Sequence, residues 1–295
     1  MKKKNLAALK YFALGLSISV FVLSLIAVWV VFTATPLKPY ISSSSSFTNE
    51  VFVPTQKDSI NFLIALGEKS DGIAKTYMLI RINPLSGQIP VCVFNENTAA
   101  KTIEKNDTLG GFYAKGGIVM AKQALEYTFD IKIDRYAKTT YEDYKTVLNT
   151  LGAVEFTVPY SLNYEGSDKI VKITSGKQLL NGAKIVDIMQ YPKYKGGELE
   201  RMNMNAEVTA AAINQFLSIW LSSKIDDIFS MVINLVDTDF TADDFEKLKP
   251  SMEFVARLSE KPSQAIYLDG KIDNQTSVIM PSAALKALIK TLYGS

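Results

Sequence analysis

Residues 60–94 decide the fold through three short apolar runs: Ile60-Asn61-Phe62-Leu63-Ile64-Ala65-Leu66, Tyr77-Met78-Leu79-Ile80-Arg81-Ile82 and Ile89-Pro90-Val91-Cys92-Val93-Phe94. The runs are rich in β-branched and aromatic residues, which favour strands. Gly67 ends the first run and Asn83-Pro84 ends the second, so turn-forming residues stand at the boundaries. This pattern predicts three β-strands, with the last two joined as a hairpin across Asn83 to Gly87.

Downstream of residue 94, patterns typical of helices and strands alternate without a fixed repeat. Apolar residues spaced three and four apart predict a helix after Gly116-Gly117 and a long helix over residues 206–222. Strict alternation predicts a strand over residues 131–136. Further strands are predicted over residues 154–159 and 170–173, and further helices are predicted to start at Thr140, Thr241 and Pro281-Ser282. We therefore expect an α/β (α+β) domain in which a mixed β-sheet is flanked by helices.

The N-terminal part carries a long run without charge between Lys10 and Lys38, and this run follows the basic head Met1-Lys2-Lys3-Lys4. Its apolar centre, residues 12–31, has about 20 residues, which is enough for one helix to cross roughly 30 Å of hydrocarbon. Most lysines near the run precede it, which predicts a cytoplasmic N-terminus and a C-terminal domain outside the cell membrane. Thr33-Ala34-Thr35-Pro36 loosely resembles a signal-peptide cleavage site, so cleavage is the alternative.

These features predict a single-pass membrane protein in four segments. Residues 1–11 are a cytoplasmic basic head, and residues 12–34 are one N-terminal transmembrane helix. Residues 35–57 are a stalk rich in serine and proline, a composition that orders poorly. Residues 58–295 are the extracytoplasmic domain.

Composition excludes several kinds of site. The chain has no histidine and a single cysteine, Cys92, so imidazole-based triads, histidine-ligated metals, cysteine-based metal sites and internal disulfides are excluded. The net charge is +2, and no block of lysine and arginine argues for nucleic acid as a partner. Chemistry is left to carboxylates, lysine, arginine, tyrosine or a hard cation such as Mg²⁺.

Two glycine-rich segments are candidate ligand sites. Residues 109–117 combine four glycines with Lys115, and free N–H groups ahead of a helix attract phosphate; the alternative is a tight helix start with nothing bound. Residues 193–201 place Arg201, one of four arginines in the chain, at the entrance of the long helix. A guanidinium there can bind phosphate through two hydrogen bonds, and the alternative is an ion pair with Glu198 or Glu200.

Taken together and in order, these segments resemble the LytR–CpsA–Psr family of bacterial envelope proteins. The resemblance covers residues 59–217 and continues weakly to the C-terminus. The segments that carry it are Thr76-Tyr77-Met78-Leu79 with Ile82-Asn83-Pro84, Tyr113-Ala114-Lys115-Gly116-Gly117, Leu151-Gly152-Ala153-Val154 with Val158-Pro159, Gly176-Lys177-Gln178-Leu179-Leu180-Asn181-Gly182, and Gly197-Glu198-Leu199-Glu200-Arg201.

The resemblance implies a role in cell-envelope assembly. Members of the family hold a lipid-linked glycopolymer by its polyprenyl pyrophosphate, with the isoprenoid tail in an apolar channel under the sheet. They use arginines and an Mg²⁺ held by aspartates to transfer the polymer to peptidoglycan as a phosphodiester. The implied partners are polyprenyl phosphate or a lipid-linked glycopolymer, peptidoglycan and the membrane.

This chain departs from the family at charged positions, where residues that would grip phosphate or metal are replaced. The expected arginine and aspartate ahead of Thr76 are Ile73 and Lys75, and a Pro-Arg-Asp turn is Phe94-Asn95-Glu96. Two arginines expected near the end of the next-to-last strand are Gln190 and Pro192. Of the arginine pair that opens the long helix, Arg201 survives, and the second arginine and the following glutamine are Met204 and Asn205.

Three functions remain open at the level of sequence. The first is a protein that binds the lipid-linked glycopolymer with weak or no phosphotransferase activity. The second is an active transferase in which Lys75 replaces the metal and its ligand, and the third is a non-enzymatic binding module of the envelope. The predicted site residues are Arg201 and Lys75 for catalysis, Arg81, Arg201, Asn205, Lys115 and Gln190 for phosphate or lipid, and Asp71 and Glu96 for a metal.

Overall fold

The computed structural model describes residues 52–167, 169–220 and 225–294, without the side chains of residues 218 and 220. The predicted basic head, the predicted transmembrane helix and residues 35–51 of the predicted stalk lie outside the described residues. Within the described part, no helix combines the length and the apolar composition needed to span a bilayer.

A mixed sheet of six strands forms the centre of the described part, and shorter strands pair around it. The strands are β1 (Ile60–Gly67), β2 (Ala74–Ile82), β3 (Ile89–Asn95), β4 (Ala99–Lys101), β5 (Asn106–Thr108), β6 (Arg135–Thr140), β7 (Val154–Val158), β8 (Leu162–Glu165), β9 (Ile170–Ile173), β10 (Gly176–Leu180), β11 (Asp237–Thr238), β12 (Ser263–Ile266), β13 (Gly270–Ile272) and β14 (Ile279–Pro281). The order in the central sheet is β11-β6-β1-β2-β3-β12. Strand β2 is antiparallel to both β1 and β3. Strand β6 runs parallel to β1, and β12 runs parallel to β3. The three strands expected from residues 60–94 and their hairpin, which Asn83 and Gln88 close, are confirmed.

Helices cover both faces of the central sheet. They are α1 (Leu109–Phe129), α2 (Tyr141–Leu151), α3 (Gly182–Met189), α4 (Gly197–Trp220), α5 (Ile225–Val232), α6 (Ala242–Leu258) and α7 (Ala283–Tyr293). Met78 of β2 contacts Thr209 of α4, and Tyr77 packs against Tyr113 of α1. Successive residues of a strand point to opposite faces, so these two contacts place one helix on each face of β2. Burial between two helical layers explains the nearly continuous apolar run of this strand.

Three predicted helix starts are confirmed by side-chain caps. The hydroxyls of Thr140, Thr241 and Ser282 each accept a hydrogen bond from the backbone N–H three residues further on. These bonds satisfy N–H groups that have no partner within the helix itself.

Other boundaries differ from the sequence prediction. The strand predicted over residues 131–136 is wrong in position, because the N–H of Ile133 donates to Glu126 and the N–H of Asp134 donates to the Asn61 carbonyl before pairing with β1 begins. The long helix begins at residue 197, so its predicted start at 206 is too late. The helix predicted after Gly116-Gly117 begins earlier and is kinked at these glycines, where Gly117 has a φ of 62°.

Candidate functional site

The candidate site lies where β2 begins and β3 ends. Thr76 pairs with Asn95 across these strands. Asn95 Nδ2 also donates to Glu198 Oε2 at 3.0 Å, which fixes the first turn of α4 to this edge of the sheet. The N–H of Glu96 donates to the Lys75 carbonyl at 3.2 Å. We call this the Arg201 edge, and it consists of Lys75, Asn95, Glu96, Glu198 and Arg201.

Both cations of the Arg201 edge are paired with carboxylates of the same chain. Lys75 Nζ lies 2.6 Å from Glu96 Oε2, and Arg201 Nη2 lies 2.5 Å from Glu198 Oε2. The pair with Glu198 is the structural alternative that the sequence offered for Arg201. The side chains of Lys75 and Arg201 are 47% and 27% exposed, so a ligand can still reach them. The structure thus brings three predicted site residues, Lys75, Glu96 and Arg201, to one edge.

Arg201 retains an unused donor. Its Nε is buried and has no hydrogen-bond partner among the described residues. A buried donor without an acceptor costs about 1–3 kcal/mol, because it has lost water without replacement. An anionic oxygen of a ligand would supply the missing acceptor.

Two tyrosines that sequence reasoning missed stand behind the Arg201 edge. The hydroxyls of Tyr141 and Thr76 share a hydrogen bond of 2.8 Å. Burial raises the pKa of Tyr141 to about 12, although the Thr76 hydrogen bond and the charge of Arg201 act in the opposite direction. Burial also raises the pKa of Tyr77, whose hydroxyl is buried and has no hydrogen-bond partner in the described part. At neutral pH both tyrosines are therefore protonated and can donate hydrogen bonds, but neither is a base.

The position of Tyr141 carries a signal that could have found it. Tyr141 is the first residue after the cap Thr140, so the helix start fixes the direction of its side chain. Nothing in the local sequence indicates that the Tyr77 hydroxyl lacks a hydrogen-bond partner among the described residues, since its run is typical of any central strand.

Lys115 is committed to another carboxylate. Its Nζ lies 2.5 Å from Asp107 Oδ2, and the lysine holds the pKa of Asp107 at about 2. The segment that contains Lys115 nevertheless borders the Arg201 edge at its start, because the N–H of Gly110 donates to the Glu96 carbonyl at 2.8 Å.

Gln190 and Asn205 lie beside α3. Gln190 directly follows this helix and does not end a strand, and it donates to Glu68 at 2.7 Å. Asn205 is fully buried on α4, one turn after Arg201, and its Nδ2 donates to the Met189 carbonyl at 3.3 Å. The Oδ1 of Asn205 has no partner within the described residues.

Arg81 is not brought to the Arg201 edge. It lies six residues after Lys75 on β2, which separates the two by about 20 Å along the strand. Its side chain is 3% exposed, and its Nη1 donates to the Tyr293 carbonyl at 2.9 Å and to Asn61 Oδ1 at 3.1 Å. The role of Arg81 in the structure is therefore to hold the C-terminal helix α7 against the sheet.

The residues predicted for a metal do not fit an Mg²⁺ site. Glu96 is occupied by the ammonium group of Lys75, which repels a second cation. Among the described residues, no group of three carboxylate, histidine or cysteine side chains is placed to hold a metal ion. Mg²⁺ needs near-octahedral oxygen ligands, and Asp71 is the one predicted ligand that has no such competitor.

Comparison with known proteins agrees with this architecture. The model of the LytR_cpsA_psr family matches residues 39–292. The chain belongs to the LytR_cpsA_psr family. Its mixed sheet between helices matches solved structures of the family, including that of TagV from Bacillus subtilis, with a TM-score of 0.68 and 17% identity over 81% of this chain and 97% of that chain. At this identity the similarity shows a common fold.

Curated relatives of this LytR_cpsA_psr protein include two TagU proteins from Bacillus. TagU of Bacillus licheniformis is 27% identical over 59% of this chain and 56% of the relative. TagU of Bacillus subtilis is 26% identical over 72% of this chain and 69% of the relative. Both are named polyisoprenyl-teichoic acid–peptidoglycan teichoic acid transferase. The chain thus matches little more than half the length of the first of these relatives.

Proposed function

We propose that this chain binds a polyprenyl phosphate- or pyrophosphate-linked glycopolymer at the Arg201 edge and transfers it to peptidoglycan weakly or not at all. The names of the TagU relatives, which combine a polyisoprenyl-linked polymer with peptidoglycan, support this class of ligand and partner. The observation that carries the low activity is the pairing of Lys75 with Glu96 and of Arg201 with Glu198.

Electrostatics connects these pairs to a slow reaction. In phosphoryl transfer the protein acts mainly by placing positive charge around the reacting phosphate. At the Arg201 edge two cations face two carboxylates, so the net charge of these four groups is zero. Loss of a single donor of the oxyanion-hole type lowers a rate by about 10²–10³, and here two cations are neutralised.

Binding needs less charge than transfer does, and donors for it remain. The buried Nε of Arg201 has no partner in the described part, and Lys75 is half exposed. Phosphate oxygens can accept from such groups. We assign the isoprenoid tail to the layer between α4 and the sheet. Met78, Val93 and Val208 of this layer are fully buried by their neighbours, so these apolar side chains must move apart to admit the tail.

We also propose that residues 12–34 anchor the chain in the cell membrane, with residues 58–295 outside. The support is the charge-free run and the lysines ahead of it. This placement brings the Arg201 edge to the side of the membrane where peptidoglycan lies.

A transferase with rearranged charge is the second candidate. The buried Arg201 Nε, which has no partner among the described residues, favours it, because a transition-state phosphoryl group would satisfy that donor. In this alternative Lys75 supplies fixed positive charge, and turnover does not require a divalent metal. A non-enzymatic binding module of the envelope would instead carry no lipid at all.

Lipid binding can be tested on the full chain extracted from membranes in mild detergent. Native mass spectrometry should show a fraction of the protein carrying the added mass of polyprenyl phosphate. Arg201→Gln should lose most of this fraction, because it removes the guanidinium at the edge. Arg257→Gln is the matched control, since Arg257 is an exposed arginine on α6 that pairs with Glu253.

Two results would contradict the proposal. One is a wild-type chain that is consistently free of lipid while folded. The other is an Arg201→Gln variant that retains as much lipid as Arg257→Gln, because the Arg201 edge would then not be the binding site.

A further inference from the structure

A cleft of about 540 Å³ opens on the face of the sheet opposite to α4. Tyr136 and Lys138 of β6 form part of it, and they pair with residues of β1 that share the face of Tyr77. The loop between β1 and β2 and the middle of α1 complete its walls. We call it the Tyr136 cleft. Its lining residues include Asp71, Tyr113, Gly117, Tyr136, Lys138 and Asp237.

The Tyr136 cleft is lined by three charged side chains, those of Asp71, Lys138 and Asp237. Within the described residues, Asp71, Lys138 and Asp237 form neither an ion pair nor a side-chain hydrogen bond. Lys138 and Asp237 stand directly opposite each other on β6 and β11, a position from which opposite charges normally interact. These groups are therefore available to a ligand, in contrast to Lys75 and Lys115.

The remaining walls are aromatic and apolar. Tyr113 and Tyr136 are among the lining residues, and the apolar Ile73 and Val119, which also line the cleft, are 44% and 47% exposed. The kink of α1 keeps the wall open, because a side chain at Gly117 would point into space with no atom within 4 Å. The volume of this cleft falls within the range of small-molecule sites, and polar and apolar groups share its walls about equally.

We propose that the Tyr136 cleft is a second ligand site, which binds an amine-bearing pyranose unit of a glycan. A pyranose has an apolar ring face that can lie on a tyrosine ring, and each of its hydroxyls both donates and accepts hydrogen bonds. The carboxylates only accept, and Lys138 only donates, so this mixed set matches such hydroxyls. Two carboxylates against one lysine favour an ammonium group and disfavour a phosphate.

This site is distinct from the Arg201 edge, and the two share no residue. The β1–β2 loop that carries Asp71 leads directly into Lys75, so both sites lie at the same end of the sheet. The proposal does not depend on lipid binding, because it is read out with soluble sugars.

Calorimetric titration of the full chain in detergent tests the proposal with three probes. The tetramer of β-1,4-linked glucosamine carries amines, its fully N-acetylated counterpart has the same rings without positive charge, and spermidine is a cation without a sugar ring. We expect the glucosamine tetramer to bind at least about tenfold more tightly than either of the others, because only it combines ring and charge.

Single substitutions test where the sugar binds and which charge the cleft favours in its ligand. Asp71→Asn and Asp237→Asn should each weaken binding of the glucosamine tetramer by about tenfold, since each removes a charge-assisted acceptor. Lys138→Gln should strengthen it, because it removes a positive charge beside the bound amine. Asp130→Asn is the matched control; Asp130 lies at the end of α1, pairs with Lys290 and lies outside the cleft, so binding should not change.

Several results would overturn the proposal. Absence of binding by a folded chain at millimolar sugar would show that the cleft is not a sugar site. Equal affinity for the N-acetylated tetramer would show that the amine is not recognised, and equal affinity for spermidine would show that the sugar ring is not recognised. Weakened binding by Lys138→Gln would show that the positive charge of Lys138 assists binding, which contradicts an amine bound beside it.

Discussion

Replacement of Glu198 or Glu96 by glutamine should convert the Arg201 edge into a stronger anion site. Each glutamate is now paired with a cation that a phosphate would contact. Glu198 lies 2.5 Å from Arg201, and Glu96 lies 2.6 Å from Lys75. Glutamine has the same shape and retains an oxygen that can accept from Asn95 or Lys75. The substitution therefore removes charge and leaves the geometry of the edge intact.

The size of the effect follows from the exposure of the pairs. Two unit charges 4 Å apart interact by about 1 kcal/mol in water and by about 4 kcal/mol at an effective dielectric constant of 20. The four side chains are between 27% and 47% exposed, so the value lies toward the aqueous limit. Removal of one carboxylate should strengthen binding of pyrophosphate by about 1–2 kcal/mol, which is about fivefold to thirtyfold in Kd.

Titration of the full chain with inorganic pyrophosphate in the presence of chelator measures this gain. Each single variant should bind more tightly than wild type, and the gain should shrink at high salt because exposed charges are screened. Glu155→Gln is the control, since Glu155 pairs with Lys177 away from the Arg201 edge and loses the same charge. Unchanged or weaker binding by folded Glu96→Gln and Glu198→Gln would refute the idea that these carboxylates block the edge.

Three further predictions concern the scaffold. Arg81→Leu should destabilise the fold by about 1.5–3 kcal/mol in urea unfolding, because it removes two buried hydrogen bonds. The amount of lipid that the folded chain carries should not change. Loss of lipid without loss of stability would mean that Arg81 belongs to the ligand site. The pKa of Asp244 is lowered below its ordinary value of 3.8, chiefly by hydrogen bonds from Arg135, so the pair stabilises the fold above that pH and this stabilisation is lost as the pH falls further. Asp244→Asn should therefore cost about 1–2 kcal/mol at pH 7 and flatten the acid limb of a stability profile, and an acid limb identical to wild type would contradict the assignment. Gly117→Ala should cost about 1–3 kcal/mol through backbone strain alone, because its φ of 62° and ψ of −157° suit glycine only; an unchanged unfolding midpoint would mean that the kink relaxes.

Local sequence was sufficient for the strands and helix starts that local rules govern. The runs of residues 60–94 end at glycine, asparagine and proline, so β1, β2 and β3 could be placed within one to three residues of their ends. Thr140, Thr241 and Ser282 carry their own capping hydroxyls, so the starts of α2, α6 and α7 needed no tertiary information. The family resemblance was likewise carried by short segments in a fixed order.

Tertiary contacts decided what the sequence could not give. The strand after α1 was misplaced because Ile133 and Asp134 alternate like a strand, while their N–H groups bond to a side chain and to a neighbouring carbonyl. Arg81 was assigned to phosphate because a strand arginine has no local partner. Its acceptor, the Tyr293 carbonyl, lies 212 residues away. The gathering of Lys75, Glu96 and Arg201 at one edge followed from the fold. The pairing of Lys75 with Glu96 and of Arg201 with Glu198 could be seen only from side-chain positions.

The central claim is that this chain holds a lipid-linked glycopolymer better than it transfers it. The most direct measurement is the rate at which the full chain moves a labelled lipid-linked glycopolymer onto peptidoglycan, with TagU of Bacillus subtilis as the reference and with Mg²⁺ or chelator present. We predict a rate at least about 10² below that of the reference, in line with the loss of one or more transition-state donors. A rate equal to that of the reference would contradict the claim.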